Sequence, residues 1–490
     1  MSHVARWVKR TRATELGGLA GDSAYSAMWL GAVSVADLVQ IALVSHILGL
    51  AQYGRLALVI SVVVLVGQFF DVRVGTAETT FGAGHVAARN WDGASHVFRL
   101  GYCIDATTGV VGFIVVGSIA PFIGPALIGT AGAELLFLYG LTLLVSTVDE
   151  SSCTALRLMG RFRLLACYTV GLETIRIAAI AGALTVSRSL PAILVALVGY
   201  DIAGATVNWC VANSVFRRAS GRSLVAKPKP SMQASFDRRA MLRTVLHTNV
   251  VSYARIAQVQ LPTLLLGVLT STSQVGLYKV GAAAGTIVAR VVDPVYAAVL
   301  PRFSRLWASK RYAEITRLIR QATPIACGVV ITVLILVLIF RERVLELIGG
   351  HSATGAVSVL SLVAVGYAVS GALFWNTGLL FAAGRSKMVS QIAVSSAVIQ
   401  IAVLVPLTIP FASVGAAAAL CVSLVLSNLW TAFLGLRELR RRLHSGHQSD
   451  PITSDHRATA MSSEYRARTW DNAPAPMRLT SAGSEISDRR

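Results

Sequence analysis

The chain has 490 residues, of which 54% are hydrophobic and only 14% are charged, and its mean hydropathy is +0.64. This composition is too apolar for a soluble domain and predicts an all-α polytopic membrane protein. The formal net charge of +20 does not indicate nucleic-acid binding, because the cations lie in the segments between apolar runs. The six cysteines form no CxxC pair and no cluster with histidine at metal-ligand spacing, so neither a metal site nor another cofactor is expected.

Twelve apolar runs meet or approach the length of about 20 residues that a bilayer-spanning helix needs. In chain order these predicted spans are 24–47, 54–71, 99–123, 131–149, 164–186, 190–214, 245–269, 275–300, 321–341, 356–382, 388–409 and 412–436. The first run is of span length, and no small-residue cleavage site follows a short apolar core. It is therefore predicted to stay in the membrane as an anchor.

The distribution of cations predicts the orientation. If the N-terminus is cytoplasmic, nearly all Arg and Lys residues fall in cytoplasmic segments, and the other side holds little beyond Arg55, Arg188, Lys279, Arg341 and Arg343. This asymmetry follows the positive-inside rule. It predicts that both termini lie in the cytoplasm.

Two pairs of segments indicate an internal duplication. LRLMGRFR (156–163) joins predicted helices 4 and 5, and LFAAGRSK (380–387) joins helices 10 and 11, with a common offset of 224. LAQYGRLAL (50–58) resembles VGLYKVGAA (275–283), with Tyr53 and Tyr278 separated by 225 positions. Two six-helix repeats in the same orientation predict two lobes with a central cavity, a layout suited to alternating access.

The predicted organisation has five parts. A basic cytoplasmic N-terminus (1–23) precedes an N-lobe of helices 1–6 (24–216), and a basic cytoplasmic linker (217–243) leads to a C-lobe of helices 7–12 (244–436). The remaining residues, 437–490, are polar and are predicted to form a disordered cytoplasmic tail.

Charged residues inside predicted spans are the candidate functional residues, because an ion near the bilayer centre costs at least ~2.5 kcal/mol and normally faces a cavity or a partner. The arginines are candidate contacts for an anionic substrate, since guanidinium pairs with phosphate oxygens and stays charged. The candidate substrate-binding residues are Arg255, Arg290 and Arg176, and the candidate ion-coupling groups or charge partners are Asp37, Asp201, Glu173 and Asp293.

Spacing suggests partners for some of these groups. Glu173 with Arg176, and Arg290 with Asp293, are spaced i, i+3 and can form same-helix ion pairs. Arg255 has no acidic residue one turn away in its helix, so its partner is another helix, water or substrate. Asp37 is either the partner of Arg255 or a carboxylate that binds a coupling proton or sodium ion.

The order of several segments resembles the polysaccharide-transport branch of the multidrug/oligosaccharidyl-lipid/polysaccharide (MOP) flippase superfamily. The resemblance covers roughly residues 20–437 and includes GLAQYGRLALVISVVVLVGQFFDVRVG, LRLMGRFRLLACYTV, VGLYKVGAAAGTIVARVVDPVYAAVLPRFSRL, LLFAAGRSKMVSQIAV and SVGAAAALCVSLVLS. Such proteins often carry an acidic residue before the LLLG stretch of helix 7. Here the sequence reads Gln260-Leu261-Pro262, which argues against ion coupling at this position.

The resemblance implies a flippase that moves an undecaprenyl-diphosphate-linked oligosaccharide across the cytoplasmic membrane for cell-surface polysaccharide biosynthesis. Implied partners are the lipid-linked glycan, membrane lipids, and the glycan polymerase and glycosyltransferases of the same pathway. A cation-coupled multidrug exporter and a peptidoglycan lipid-precursor flippase are alternatives within transport. Outside transport, a glycan polymerase or an assembly scaffold is the alternative, although the predicted outer loops are short and no GxxxxGK[ST] phosphate loop occurs.

Overall fold

The computed structural model describes residues 2–70, 74–226, 253, 256–291, 303 and 305–447. These residues are helical apart from turns, and none of them forms a strand. Eight helices within them are long and apolar enough to cross a membrane. The all-α polytopic fold is therefore confirmed.

Among the described residues, the first half of the chain contains seven helices, and the second half contains eight helices, one 3₁₀ turn and the end of a further helix at residues 305–308. The first seven are α1 (Ser2–Phe70), α2 (Val74–Ala87), α3 (Trp91–Leu127), α4 (Gly132–Gly140), α5 (Leu143–Leu158), α6 (Phe162–Val186) and α7 (Leu190–Ser220). The others are α8 (Ile256–Leu269), α9 (Thr272–Gly285), α10 (Ile287–Arg290), α11 (Tyr312–Ile339), α12 (Arg341–Gly349), the 3₁₀ turn His351–Ala356, α13 (Val357–Ala372), α14 (Asn376–Ala382) and α15 (Ser386–His447).

Each of the twelve predicted spans overlaps a described helix, although two long helices contain two spans each. Gly49 (φ 82°) interrupts α1, and Ala412 (φ 45°) interrupts α15, at the points where one span ends and the next begins. Helices α2 and α12 were not predicted. The sequence of α2 is rich in Gly and Thr, which favour helices weakly, and its helix is stabilised by packing against α3 and α5.

The Gly-Arg turns of the two repeats have the same backbone geometry. Gly160 (φ 68°) and Gly384 (φ 71°) both adopt the left-handed conformation. In the first turn, Gly160 N–H donates to the Arg157 carbonyl and Arg161 N–H to the Leu156 carbonyl, both at 3.0 Å. The residues 224 positions later repeat both bonds at 3.0 Å. This is the Schellman helix end, which glycine favours because it has no Cβ.

A further pair of turns repeats this geometry without glycine. Arg89 (φ 53°) and Lys310 (φ 57°) are left-handed, and the residues after them, Asn90 and Arg311, donate five residues back to the carbonyls of His85 and Leu306 at 2.8 and 3.0 Å. The offset is 221 positions for each member of this pair. Four helix ends therefore support the duplication that the sequence predicts.

The two halves of the chain meet at a glycine-mediated helix contact. A Cβ at Gly54 of α1 would lie 1.8 Å from the Thr272 carbonyl oxygen of α9, and a Cβ at Gly276 would lie 2.2 Å from the Leu50 oxygen. The contact is reciprocal, because Gly276 follows Gly54, and Thr272 follows Leu50, by 222 positions. In this contact Gly54 corresponds to Gly276, an offset of 222 positions. The sequence comparison pairs Tyr53 with Tyr278, an offset of 225 positions.

Helix α7 extends through Ser220, four residues into the predicted linker, and ends at Gly221 in the left-handed conformation (φ 71°). Residues 227–243 of the linker lie outside the described residues, as do residues 448–490 of the predicted tail. A separate unit begins at Arg437. Its described residues, 437–447, are helical and contain an ion pair of Arg442 with Glu438 at 3.3 Å.

Candidate functional site

A cavity of about 370 Å³ lies between the two halves of the chain. Helix α1 lines it from the first half, and α8, α9, α10, α13 and α15 line it from the second. Its charged lining residues, within the described part of the chain, are Asp37, Lys279 and Arg290. We call this space the charged cavity.

The helical repeat explains why both cations face the same space. Lys279 and Arg290 are 11 residues apart, close to three turns of an α-helix. Only Thr286, whose backbone is also in the right-handed helical region, separates α9 from α10, so the two cations lie on one face of this segment. Thr286, seven residues after Lys279, lines the cavity on this face. The side chain of Lys279 is half-buried and that of Arg290 is exposed.

Arg176 is held in an ion-paired network within the first half of the chain. Its Nη2 lies 2.8 Å from Asp37 Oδ1, and its Nε lies 2.9 Å from Glu173 Oε2, the pair that the i, i+3 spacing predicts. Tyr200 of α7 donates to Glu173 Oε1 at 2.9 Å, and its ring lies under the guanidinium at 5.7 Å. Two carboxylates thus neutralise this arginine, whose side chain is only 13% exposed.

The seven candidate residues are therefore distributed unevenly. Arg290 and Asp37 line the charged cavity, and Asp37 also pairs with Arg176. Asp201 is half-buried on α7, next to Tyr200. Arg255, the first candidate for substrate contact, and Asp293, the suggested partner of Arg290, lie outside the described residues.

Lys279 is a cavity residue that the sequence does not single out. The distribution of cations predicts only that it lies on the outer side of the membrane. In the structure it is the eighth residue of α9 and lines the charged cavity. Its spacing of three helical turns from Arg290 is the sequence signal that identifies it.

A buried carboxyl pair in the first half was also missed. Ser151 Oγ of α5 lies 2.8 Å from Glu78 Oε1 and 2.6 Å from Asp105 Oδ2, and all three residues are buried. Asp105 is the seventh residue of the predicted span 99–123, so a count of acids within spans would have found it. Glu78 had no such signal because no helix was predicted there.

Comparisons with known proteins place this geometry in a recognised fold. An inward-facing multidrug resistance MATE family transporter of the MOP superfamily superimposes with a TM-score of 0.68 at 12% identity, over 84% of this chain and 95% of that one. The lipid II flippase MurJ, in an inward closed conformation, gives 0.64 at 10% identity over 85% and 89%. At these identities the likeness concerns the fold.

A third similar structure is a MOP superfamily transporter from Pyrococcus furiosus, with a TM-score of 0.56 and 13% identity, over 87% of this chain and 96% of that one. The search of curated proteins found no match. The family described as "Polysaccharide biosynthesis protein" matches residues 19–307. Because this match covers more than half of the sequence, the chain belongs to that polysaccharide biosynthesis family, and it has the fold of MOP superfamily transporters.

Proposed function

We propose that the chain is a flippase that moves a polyprenyl-diphosphate-linked oligosaccharide across the bacterial cytoplasmic membrane by alternating access. The observation that carries this proposal is the charged cavity between the two halves, where Lys279 and Arg290 lie on one helix face. Membership of a polysaccharide biosynthesis family supports the choice of substrate. Both termini are cytoplasmic in this proposal, as the distribution of cations predicts.

The charge of the cavity suits a diphosphate. Its two cations exceed its one carboxylate among the described lining residues. A diphosphate headgroup that leaves water needs compensating charge, because an unpaired ion in a low-dielectric space is strongly disfavoured. Lys279 and Arg290 provide that charge, while the polyprenyl chain stays in the lipid.

The reciprocal glycine contact suits a rocking transport cycle. At Gly54 and Gly276, backbone approaches backbone without an intervening side chain, so two rigid halves can close tightly there. When the two halves separate at this contact, the cavity opens to the side of the membrane on which the contact lies. No covalent step is needed, and the chain acts as a secondary-type transporter.

The proposal is tested by comparing two activities of the same proteoliposomes. A fluorescently labelled undecaprenyl-diphosphate-linked oligosaccharide is placed in the inner leaflet, and its exposure to an external quencher is followed over time. The flippase proposal predicts faster exposure than in protein-free vesicles and no export of a cationic dye under a proton or sodium gradient. Dye export without glycan exposure supports the exporter instead, for which Asp37 in the cavity is the favourable observation.

The peptidoglycan lipid-precursor flippase is separated in the same assay by the identity of the glycan. Labelled lipid II is added in place of the oligosaccharide lipid. The proposal predicts that lipid II crosses the membrane more slowly than the undecaprenyl-diphosphate-linked oligosaccharide does. Faster crossing of lipid II favours the alternative.

A further inference from the structure

A second cavity, of about 430 Å³, lies wholly within the second half of the chain. Its described lining contains no Asp, Glu, Lys or Arg, and its polar groups are the amides and hydroxyls of residues such as Gln258, Asn428 and Thr431. Its volume falls in the range of roughly 300–1,000 Å³ that is typical of small-molecule sites. We call it the neutral cavity.

The neutral cavity adjoins the charged cavity. Val259, Tyr367 and Leu420 line both spaces, so one layer of side chains borders a cationic compartment on one side and an uncharged polar compartment on the other. A ligand with an anionic group attached directly to an uncharged, hydroxyl-rich group matches this division. The head of a sugar diphosphate has that structure.

The amides of the neutral cavity are fixed in place by hydrogen bonds. Asn376 Nδ2 donates to Asn428 Oδ1 at 2.9 Å, and Asn428 Nδ2 donates to the Leu424 carbonyl at 2.8 Å. Gln258 Nε2 donates to Ser396 Oγ at 2.7 Å. These bonds hold the amide planes in one orientation, which reduces the entropy lost when a ligand binds.

Part of the hydrogen-bonding capacity remains available to a ligand. The hydroxyls of Ser427 and Thr431 donate to carbonyls of their own helix, at 3.1 and 2.6 Å, which leaves their oxygens able to accept. Asn428 has two amide protons, of which one is used at Leu424. Sugar hydroxyls both donate and accept, and Tyr367 and Phe374 supply aromatic surface in the same cavity.

We propose that the neutral cavity binds the sugar adjacent to the diphosphate of the substrate, with the diphosphate itself in the charged cavity. This assignment rests on the proposed flippase function, and it adds a specificity site to it: the second half of the chain recognises sugar hydroxyls, independently of charge.

The experiment measures binding of two probes to the full-length protein in nanodiscs: undecaprenyl diphosphate, and undecaprenyl diphosphate carrying a single N-acetylglucosamine. The readout is the ratio of their two Kd values, so that the contribution of the sugar is separated from that of the diphosphate. The test variant is Ser427→Ala/Thr431→Val. Both changes remove hydroxyls that donate only to their own helix, so no buried partner loses its hydrogen bond.

The matched control is Thr332→Val, which removes a hydroxyl donating four residues back to the Gly328 carbonyl on the exposed face of α11. We expect the sugar-bearing probe to bind intact protein and the control more tightly than the bare diphosphate. In the test variant this preference should fall about 2- to 10-fold, the loss of about one net hydrogen bond, with bare-diphosphate affinity unchanged.

Three results would overturn the assignment in different ways. An unchanged preference in the test variant refutes the sugar site and leaves the flippase proposal standing. An equal loss of affinity for both probes shows that the two substitutions disturb the diphosphate site or the fold, and it also refutes the assignment of a sugar site. Failure of intact protein to bind either probe contradicts the proposed function itself.

Discussion

Arg176 is predicted to stabilise the fold as a counter-ion. Its guanidinium contacts Asp37 at 2.8 Å and Glu173 at 2.9 Å. The Glu173 side chain is 9% exposed, whereas that of Asp37 is 53% exposed. Removal of Arg176 therefore leaves the Glu173 carboxylate buried without its cation, whereas the Asp37 carboxylate loses a contact while it remains half-exposed. Breaking a buried pair in this way destabilises a protein by about 3–5 kcal/mol, and the half-exposed contact contributes at most about 1 kcal/mol.

The assay is equilibrium unfolding of the purified protein in detergent, with Arg176→Met compared with Arg343→Met. Arg343 is 84% exposed and contacts Glu346 at 3.4 Å, so its loss should lower the free energy of unfolding by less than about 1 kcal/mol. Arg176→Met should lower it by about 3 kcal/mol or more. The double variant Glu173→Gln/Arg176→Met, which removes both charges, should recover most of the loss.

The reasoning is wrong if Arg176→Met is as stable as Arg343→Met. If the same variant also lost affinity for undecaprenyl diphosphate, Arg176 would be a substrate contact that happens to rest on carboxylates, as its position in a span first suggested. If the double variant is no more stable than Arg176→Met, the arginine stabilises the helices by packing on Tyr200 and not by its charge.

Further predictions concern backbone contacts and the carboxyl pair. Gly54→Val should lower the melting temperature far more than Gly182→Val, because only the first Cβ meets a backbone oxygen within 4 Å; equal effects would contradict the close helix contact. Lys310→Gly should raise the free energy of unfolding by up to about 1 kcal/mol, because it relieves a left-handed φ of 57°, and a decrease would contradict this. Glu78→Gln should be tolerated while Glu78→Ala is destabilising: the Ser151 hydroxyl has one proton and contacts two carboxyl groups, so an amide can supply the second hydrogen bond. Thermal unfolding of the two variants distinguishes them.

Helix type and order could be predicted because a bilayer requires long apolar segments, and that signal is strong in one sequence. The Gly-Arg turns were also informative, since left-handed helix ends select glycine. The corresponding turns at Arg89 and Lys310 could not be predicted from the sequence, because the residues there are not glycines and the surrounding packing determines their backbone conformation. The sequence indicates the repeat at the Gly-Arg turns and at the segments around Tyr53 and Tyr278, and the structure adds the helix ends at Arg89 and Lys310.

The candidate site was less predictable, because burial in a span does not say which neighbour a charge meets. Arg176 lay one turn from Glu173, and this local pairing was readable from the spacing. Its contact with Asp37, 139 positions away, depends on how α1 packs on α6. Lys279 was predicted only to lie on the outer side of the membrane, as part of the cation distribution. Only the angular position of Lys279 on α9 decides that it faces the cavity.

The most direct test of the proposed function is the rate at which labelled undecaprenyl-diphosphate-linked oligosaccharide becomes accessible across proteoliposome membranes, measured for Lys279→Gln/Arg290→Gln and for the control Arg55→Gln. Arg55 is exposed and does not line the charged cavity. We predict rapid exposure with intact protein and the control, and a rate near that of protein-free vesicles with the double variant. Full activity in the double variant would contradict a transport route through the charged cavity, and absence of exposure with intact protein would contradict the flippase assignment.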